Sequence, residues 1–399
     1  MSELLAKFIL WKQKPKIIVV TGNIGKTCTR EAIFSVLKTK LRVKRNQDGK
    51  NERRDIIMNI LGMENFGKNP FGAIFNFLKS NFSLKGYPEV FIFETGIRKP
   101  GDVNKFKFLK PEIVVVTALG EIPAYIEFFD GPKELASQNF KTLEKLPHFG
   151  YAVLNYDDET VREMGDIINA HTLRFGFQEG ADFMVSDVSQ NFSEDNLRSS
   201  GTTFKLNHDG HSVPVWLYQV YGKAQVYAAL AAMVVGSIFK MNLIEISEAL
   251  KNYKSPFGRM TLNEGIKSTW IINDYYEASP NSTLSALQTL KDFCCNQRKI
   301  AVLGDMIGIG KYTEQAHRIV GEACSKFLDM LFCIGPRAKF IADEAITRGL
   351  PSERVFEFES VEEAGKTVQK VIRKGDLILV KGSREMKMEK IVEEIGKIK

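Results

Sequence analysis

Cysteines and long apolar runs are scarce in this chain. Only five of its 399 residues are cysteine, and no two of them form a CxxC pair. An odd number of scattered cysteines argues against a disulfide framework and favours a reducing compartment, so we expect a cytoplasmic protein. No apolar stretch approaches the roughly 20 residues that a membrane-spanning helix needs, and we therefore expect no membrane span.

Two segments that are rich in apolar residues still need an interpretation. The start, MSELLAKFILWKQKPK, lacks the small-residue cleavage site of a secretory signal. It is either a first helix that packs on the sheet, which we favour, or an anchor at a membrane interface. The segment 66–88 is rich in phenylalanine. A core helix is the favoured interpretation there, and a lipid-binding face is the alternative.

The charge of the chain is mildly basic and evenly spread. Lysine and arginine total 55 against 48 acidic residues, which gives a formal net charge of +7. This balance favours small anionic ligands. Because no basic block is interleaved with aromatic residues, we expect no nucleic-acid partner.

Apolar runs that end at a glycine or a polar residue recur along the chain, separated by helix-length segments. Four lie before residue 160 (KIIVVTG, VFIFETG, IVVVTALG and YAVLNYDD), and four lie after residue 268 (TWIIND, KIAVLGDM, MLFCIG and DLILVKGS). Buried parallel strands have this pattern. Between the two series, residues 172–220 form short alternating runs, which predict a small antiparallel sheet.

A glycine-rich segment follows the first predicted strand and precedes a helix. Its glycines let the backbone approach an anion, and the helix N-terminus attracts phosphate. Lys26 is expected to reach the β and γ phosphates of a nucleotide, and the Thr27 hydroxyl to bind Mg²⁺. Val20 stands where a strict Walker A motif has glycine, so the match is limited to GxxGKT. The predicted ATP-binding loop comprises Gly22, Asn23, Ile24, Gly25, Lys26, Thr27 and Cys28.

A carboxylate at the end of another predicted strand is a candidate to complete the metal site. Glu94 ends the run FIFE, and such strand-end acids bind Mg²⁺ beside phosphate loops. The alternative is a structural role, in which Glu94 caps a helix or pairs with Arg98. We favour Thr27 and Glu94 as metal ligands.

The length of the chain exceeds what one hydrophobic core usually supports, so we expect two domains. We predict an α/β protein whose P-loop-containing central ATPase domain, residues 1–257, has a mostly parallel sheet plus the small antiparallel sheet. A Rossmann-like C-terminal domain, residues 258–399, follows. Ligands of open α/β sheets bind at the carboxyl ends of the strands, so we expect the site between the two domains.

Eight motifs, in order, resemble those of the Mur ligases, most of all the type that adds D-alanyl-D-alanine. They are TGNIGKTCT, ETGIRKPGDV, LNYDD, GKAQVYAALAA, PFGRM, NDYYEASPNS, VLGDM and VKGSREMKME, and they extend the resemblance from residue 14 to residue 394. The resemblance implies a ligase of peptidoglycan precursor synthesis that uses ATP and Mg²⁺. ATP would phosphorylate a carboxylate of a muramoyl peptide precursor, and D-alanyl-D-alanine would attack the acyl phosphate.

The same resemblance assigns roles to individual residues. Lys26, Glu94 and Arg259 would be catalytic, with Arg259 near the phosphates. Gln225 stands at the adenine contact and Asp274 at the ribose contact. The residues implied near the substrates are Tyr276, Ser279, Lys381, Ser383 and Arg384.

The chain departs from the family pattern in three ways. The phosphate loop begins at residue 22, without the preceding domain that binds the sugar nucleotide, so we expect either a separate chain that supplies this function or a different substrate. Tyr125 and Asn139 stand where the family has two ligands of a second magnesium ion, which makes that site doubtful. Ala224 and Gln225 replace the adenine-site pair. These changes leave two alternatives open: an ATP-binding scaffold without ligase activity, and a related ligase that resembles folylpolyglutamate synthases.

Overall fold

The computed structural model describes residues 2–47, 49–63, 86–192, 200–293 and 297–397. The predicted helix in the phenylalanine-rich segment 66–88 falls almost entirely outside these ranges. Among the helices that are described, none combines the length and the apolar character needed to cross a bilayer.

The first half of the chain forms a nine-stranded sheet in the order β2-β3-β1-β4-β5-β6-β7-β8-β9. The pairs from β2 to β7 in this order are parallel, because helices connect most of these strands across the faces of the sheet. The strands are β1 (Lys16–Thr21), β2 (Val43–Arg45), β3 (Val90–Glu94), β4 (Ile113–Val116), β5 (Tyr151–Asn155), β6 (His171–Gly176), β7 (Phe183–Asn191), β8 (Gly201–His208) and β9 (His211–Tyr218).

The antiparallel strands occur where the alternating pattern predicts them, but they do not form a separate sheet. β7 pairs with β6 in parallel through Phe175–Phe183 and Gly176–Met184, and β8 and β9 then continue as hairpins. Alternation in sequence predicts which strands have one exposed face. It does not show which neighbour the first of them will join.

The second half of the chain forms a six-stranded sheet in the order β10-β11-β15-β12-β13-β14. Among its described strands, the pair β10–β11 is antiparallel and the other pairs are parallel. The strands are β10 (Thr261–Glu264), β11 (Trp270–Asp274), β12 (Lys299–Gly304), β13 (Met330–Ile334), β14 (Val355–Phe358) and β15 (Leu377–Lys381).

Helices cover both sheets. They are α1 (Ser2–Gln13), α2 (Lys26–Leu37), α3 (Arg53–Ile60), α4 (Pro132–Leu143), α5 (Glu159–Gly165), α6 (Lys223–Ile238), α7 (Leu243–Leu250), α8 (Pro280–Asp292), α9 (Thr313–Ser325), α10 (Lys339–Thr347), α11 (Val361–Val371) and α12 (Glu389–Ile395). α6 is apolar on nearly all sides and packs against α2, the helix that follows the phosphate loop. This contact anchors α2 in the core.

One side of the first helix packs in the core, and this packing is compatible with both interpretations of the segment. Ala6 and Ile9 are buried, and α1 lies against α3. Its opposite side remains exposed.

The carboxyl ends of the central strands of both sheets face one cleft. Thr21 and Glu94 end β1 and β3 of the first sheet, and Asp274 and Lys381 end β11 and β15 of the second. Residues from both halves line the same pocket, which lies where the site was predicted.

Candidate active site

Two glycines give the phosphate loop its shape. Gly22 has a φ of 121°, and a Cβ atom there would lie 2.3 Å from the Thr117 hydroxyl oxygen. Gly25 precedes α2 with a φ of 83°. Both φ values lie in the region that side-chain-bearing residues rarely adopt, so the turn needs glycine at both positions.

Neighbouring strand-end loops anchor the first part of this loop. The N–H groups of Asn23 and Ile24 donate to the carbonyl of Ala118 at 2.8 and 3.0 Å. The side chain of Asn23 is held as well: its Nδ2 donates to the Ala124 carbonyl and its Oδ1 accepts from the Ala124 N–H, both at 3.0 Å. The backbone N–H groups of Asn23 and Ile24 are therefore engaged within the protein, whereas those of the first turn of α2, which starts at Lys26, have no partner within the helix and can face an anion.

Thr27 and Glu94, the predicted metal ligands, are adjacent. The Thr27 hydroxyl donates to Glu94 Oε1 at 3.1 Å, and both side chains are buried. Their oxygens are the hard donors that Mg²⁺ prefers, and Mg²⁺ usually needs only one or two protein ligands beside phosphates and water. The pair therefore fits an ion held mainly by a nucleotide.

Arg30 is a partner of Glu94 that the sequence analysis missed. Its guanidinium is 1% exposed and lies 3.1 Å from Glu94 Oε2. Arg30 lies one turn beyond Lys26 and Thr27 on α2, so helical spacing alone would have placed it beside the metal ligand. Asn46 holds the backbone of Glu94 as well, through hydrogen bonds to its N–H and its carbonyl.

Asn139 and Tyr125, the two residues at the predicted doubtful second metal site, make different contacts. Asn139 Oδ1 accepts hydrogen bonds from the Thr21 hydroxyl at 2.8 Å and from the Gly22 N–H at 3.2 Å. The guanidinium carbon of Arg98 lies over the Tyr125 ring, 5.2 Å from the centroid of that ring. Across the described ranges, no three His, Cys, Asp or Glu side chains gather into a metal-binding group. Asn139 therefore fixes the phosphate loop through a neutral amide.

Gln225 lies at the cleft, but its amide is engaged in hydrogen bonds to the segment between the two sheets. Its Nε2 donates to the Ser255 hydroxyl at 2.7 Å and to the Arg259 carbonyl at 3.2 Å. Its Oε1 accepts from the Tyr253 hydroxyl at 2.6 Å. Nε2 also lies 3.4 Å from the sulfur of Cys28, whose pKa burial raises to about 11. The predicted adenine contact of Gln225 stays a prediction. The observed contacts join α2 and α6 to the segment that carries Arg259.

Asp274 and Lys381, which the resemblance assigns to two different ligands, are paired with each other. Lys381 Nζ lies 2.6 Å from Asp274 Oδ2, and it also donates to the Glu277 carbonyl at 2.9 Å. The two residues are opposite each other in the register of β11 and β15. Burial raises the pKa of Asp274, although the Lys381 ammonium counteracts the shift.

Two arginines lie over the ring of Tyr276. The Arg259 and Arg384 guanidinium carbons lie 4.3 and 4.9 Å from the centroid of its ring. Arg384 also donates to the Tyr276 hydroxyl at 3.0 Å. The Tyr276 hydroxyl and the Arg384 guanidinium lie near Gly49, in the loop after β2. These side chains therefore approach the first half of the chain.

The remaining predicted substrate residues have structural contacts. Ser279 caps α8 through a hydrogen bond from the Ser282 N–H. The Ser383 hydroxyl accepts from the Ile307 N–H at 2.8 Å. Both side chains are buried, and Ser279, unlike Ser383, lines the pocket that contains Gln225, Asp274 and Lys381.

Two of the pockets around the phosphate loop contain most of the predicted site residues. One is lined by Gly25, Gln225, Asp274, Ser279 and Lys381, among others. The other brings the two predicted catalytic cations together with the metal ligands, and its lining includes Lys26, Thr27, Glu94, Arg98, Tyr125, Arg259 and Tyr276. Arg259 lines both pockets, so an anion at the phosphate loop would lie between them.

Comparisons with known proteins match both halves of the chain. Residues 20–236 match the family model of the Mur ligase middle domain, and residues 258–384 match that of the Mur ligase glutamate ligase domain. A similar protein, the UDP-N-acetylmuramoyl-tripeptide--D-alanyl-D-alanine ligase of Bacillus subtilis, is 27% identical over 98% of this chain and 78% of its own length.

Solved structures show the same fold. MurF from Acinetobacter baumannii superposes with a TM-score of 0.81 at 20% identity, over 98% of this chain and 79% of its own. A MurF ligase of Thermotoga maritima in complex with ADP gives a TM-score of 0.80 at 22% identity, over 98% and 82% of the two chains.

Proposed function

This chain belongs to the Mur ligase family, and we propose that it is an ATP-dependent ligase that adds D-alanyl-D-alanine to a muramoyl tripeptide. The relatives that carry this activity in their names align over nearly the whole chain. The observation that carries the proposal is the convergence of Lys26, Glu94 and Arg259 on one pocket between the two sheets.

The chemistry of the reaction explains why these groups are needed. A carboxylate is a poor electrophile, and phosphorylation by ATP turns its oxygen into a good leaving group. Negative charge develops on the transferred phosphoryl group and then on the tetrahedral centre that the amine forms. Lys26 and Arg259, which line one part of the cleft, would stabilise this charge. The products are the amide, ADP and phosphate.

One magnesium ion fits the residues that are present. Thr27 and Glu94 would hold it together with nucleotide oxygens, where it would neutralise charge on the phosphates. At the position of the second ion, the Asn139 amide is occupied by the phosphate loop, and no three His, Cys, Asp or Glu side chains of the described ranges form a metal-binding group.

Roles for the other residues follow from their places in the cleft. We propose that Asp274 contacts the ribose and that the base lies along the wall of the cleft that contains Gln225. The carboxylate of the dipeptide would bind near Tyr276, Lys381 and Arg384. The division into an ATP-binding domain, residues 1–257, and a C-terminal domain, residues 258–399, agrees with the distribution of strands over the two sheets. A cytoplasmic location and a separate chain that binds the sugar nucleotide complete the proposal.

The test is phosphate release that requires two substrates. With ATP and Mg²⁺, we expect turnover only when both a muramoyl tripeptide and D-alanyl-D-alanine are present. Without the dipeptide, hydroxylamine should trap the acyl phosphate as a hydroxamate. Tight ATP binding without substrate-dependent turnover would instead support the scaffold, and turnover with a folate and glutamate would support the related ligase.

A further inference from the structure

The first helix presents an apolar face that lies outside the core. Leu4, Phe8 and Trp11 are 71%, 54% and 70% exposed. Their spacing of four and three residues puts them on one side of α1, while Ala6 and Ile9 pack on the opposite side. The rings of Phe8 and Trp11 lie 6.0 Å apart, so the three side chains form a continuous strip.

Lysines accompany this strip. Residues 2–16 contain four lysines and one acidic residue, Glu3. Glu3 is already shared by Lys7 and Arg53, and Lys16 pairs with Glu112 at 3.9 Å, which leaves Lys12 and Lys14 exposed beside or beyond Trp11. We call Leu4, Lys7, Phe8, Trp11, Lys12 and Lys14 the basic apolar face.

Two more exposed apolar side chains lie at the same edge of the nine-stranded sheet. α1 ends three residues before β1 begins, so Trp11 lies near the amino ends of the parallel strands. Phe149 and Ile167, 68% and 69% exposed, are in the loops that lead into β5 and β6, which start at that edge. The phosphate loop lies at the opposite edge, after β1.

We propose that the basic apolar face docks on the surface of an anionic lipid bilayer. Trp, Phe and Leu on one side of a helix, accompanied by lysines, are the composition of helices that lie in the membrane interface. Lysine is depleted at protein–protein interfaces, so the same composition argues against a protein partner. With the amino edge on the membrane, the cleft at the carboxyl edge stays open to soluble substrates.

The experiment is binding of the full chain to vesicles. Co-sedimentation should occur with vesicles of phosphatidylcholine and phosphatidylglycerol and be weaker with phosphatidylcholine alone. The triple variant Leu4→Ser, Phe8→Ser, Trp11→Ser should bind at least about tenfold more weakly, because three exposed apolar side chains are lost. Ile244→Ser, at an exposed position of α7 (63%), is the matched control and should bind as the parent does.

Electrostatics and fluorescence give independent readouts. Raising the salt from about 0.1 to about 1 M shortens the Debye length from about 10 to about 3 Å and should weaken binding. In a Trp216→Phe background the exposed indole is that of Trp11, because Trp270 is buried, and its emission should shift to the blue with anionic vesicles.

Three results would overturn the proposal. They are no binding to anionic vesicles, equal binding by the parent and the triple variant, or self-association of the parent in sedimentation that the triple variant abolishes. The last result would mean that a second copy of the chain covers the face. ATP-dependent turnover of the triple variant should equal that of the parent, since the strip lies away from the cleft, and this equality also shows that the variant is folded.

Discussion

The two sides of the phosphate loop are held by different chemistry. On the Thr27 side, a buried carboxylate, Glu94, joins the threonine hydroxyl to the Arg30 guanidinium. On the Thr21 side, the neutral amide of Asn139 accepts hydrogen bonds from the threonine hydroxyl and from Gly22. The charged side can help to bind a cation, whereas the neutral side only fixes the shape of the loop. This difference supports a single firmly bound magnesium ion.

The largest effect on activity should come from removing Lys26, which takes part in neither of these two sets of contacts. In Lys26→Ala, the phosphates lose a charge-assisted donor that acts as charge develops, and we expect turnover to fall by about a thousandfold. Lys38→Ala, an exposed lysine just beyond the same helix, should behave as the parent. Steady-state phosphate release measures both variants. If Lys26→Ala kept activity comparable to that of Lys38→Ala, the phosphate loop would be misassigned.

The charged side should also contribute strongly to stability. Glu94→Gln removes one of the two carboxylates that pair with the buried Arg30 and leaves Glu31, at 2.8 Å, so we expect a loss of about 2–3 kcal/mol, the range of a charge-assisted hydrogen bond. Glu89→Gln, at a surface pair with Arg42, should cost about 0–1 kcal/mol. Urea unfolding at neutral pH gives both free energies. Equal unfolding midpoints would show that the Arg30–Glu94 pair does not hold this side of the loop.

A smaller effect is expected on the neutral side. Asn139→Leu keeps the size of the side chain and removes the acceptor for Thr21 and Gly22, which should lower the unfolding free energy by about 1–3 kcal/mol. The magnesium concentration for half-maximal activity should not change, since no cation is lost. Gln138→Leu, at the adjacent position of α4, is the control. A raised magnesium requirement in Asn139→Leu alone would mean that this side binds metal after all.

The sequence predicted the parts of the cleft that lie within one strand–loop–helix unit. The glycines at positions 22 and 25, the first turn of α2 and the acid at the end of β3 follow from local spacing and from the rule that strand ends meet at one edge. Arg30 was accessible to the same reasoning through helical periodicity, but it was missed.

Contacts between distant segments were not predictable in this way. Asp274 and Lys381 lie 107 positions apart, and they meet only because β15 inserts beside β11. The contacts of Gln225 with Tyr253 and Ser255 depend on how α6 packs against the segment between the sheets. A motif identifies the residue in such cases, while the packing decides which atoms its side chain touches.

Gln225 offers the finest test of this distinction. The resemblance makes it an adenine contact, whereas its hydrogen bonds connect it to Tyr253, Ser255 and the Arg259 carbonyl. In Gln225→Leu we expect the turnover number to fall about tenfold, the equivalent of roughly 1.4 kcal/mol, because Arg259 loses its support. The ratio of kcat/KM for ATP to that for GTP should stay unchanged, since the lost contacts do not involve the base.

Tyr253→Phe separates the two roles further, because it removes one hydroxyl from the same network and leaves Gln225 in place. It should reduce turnover in the same direction, by a smaller factor, again without changing the preference for ATP. A preference that falls in Gln225→Leu but not in Tyr253→Phe would assign the amide to the base. In that case the hydrogen bonds from Gln225 to the segment around Arg259 would have to rearrange when nucleotide binds. The nucleotide, and not the Gln225 side chain, would then connect the two sheets.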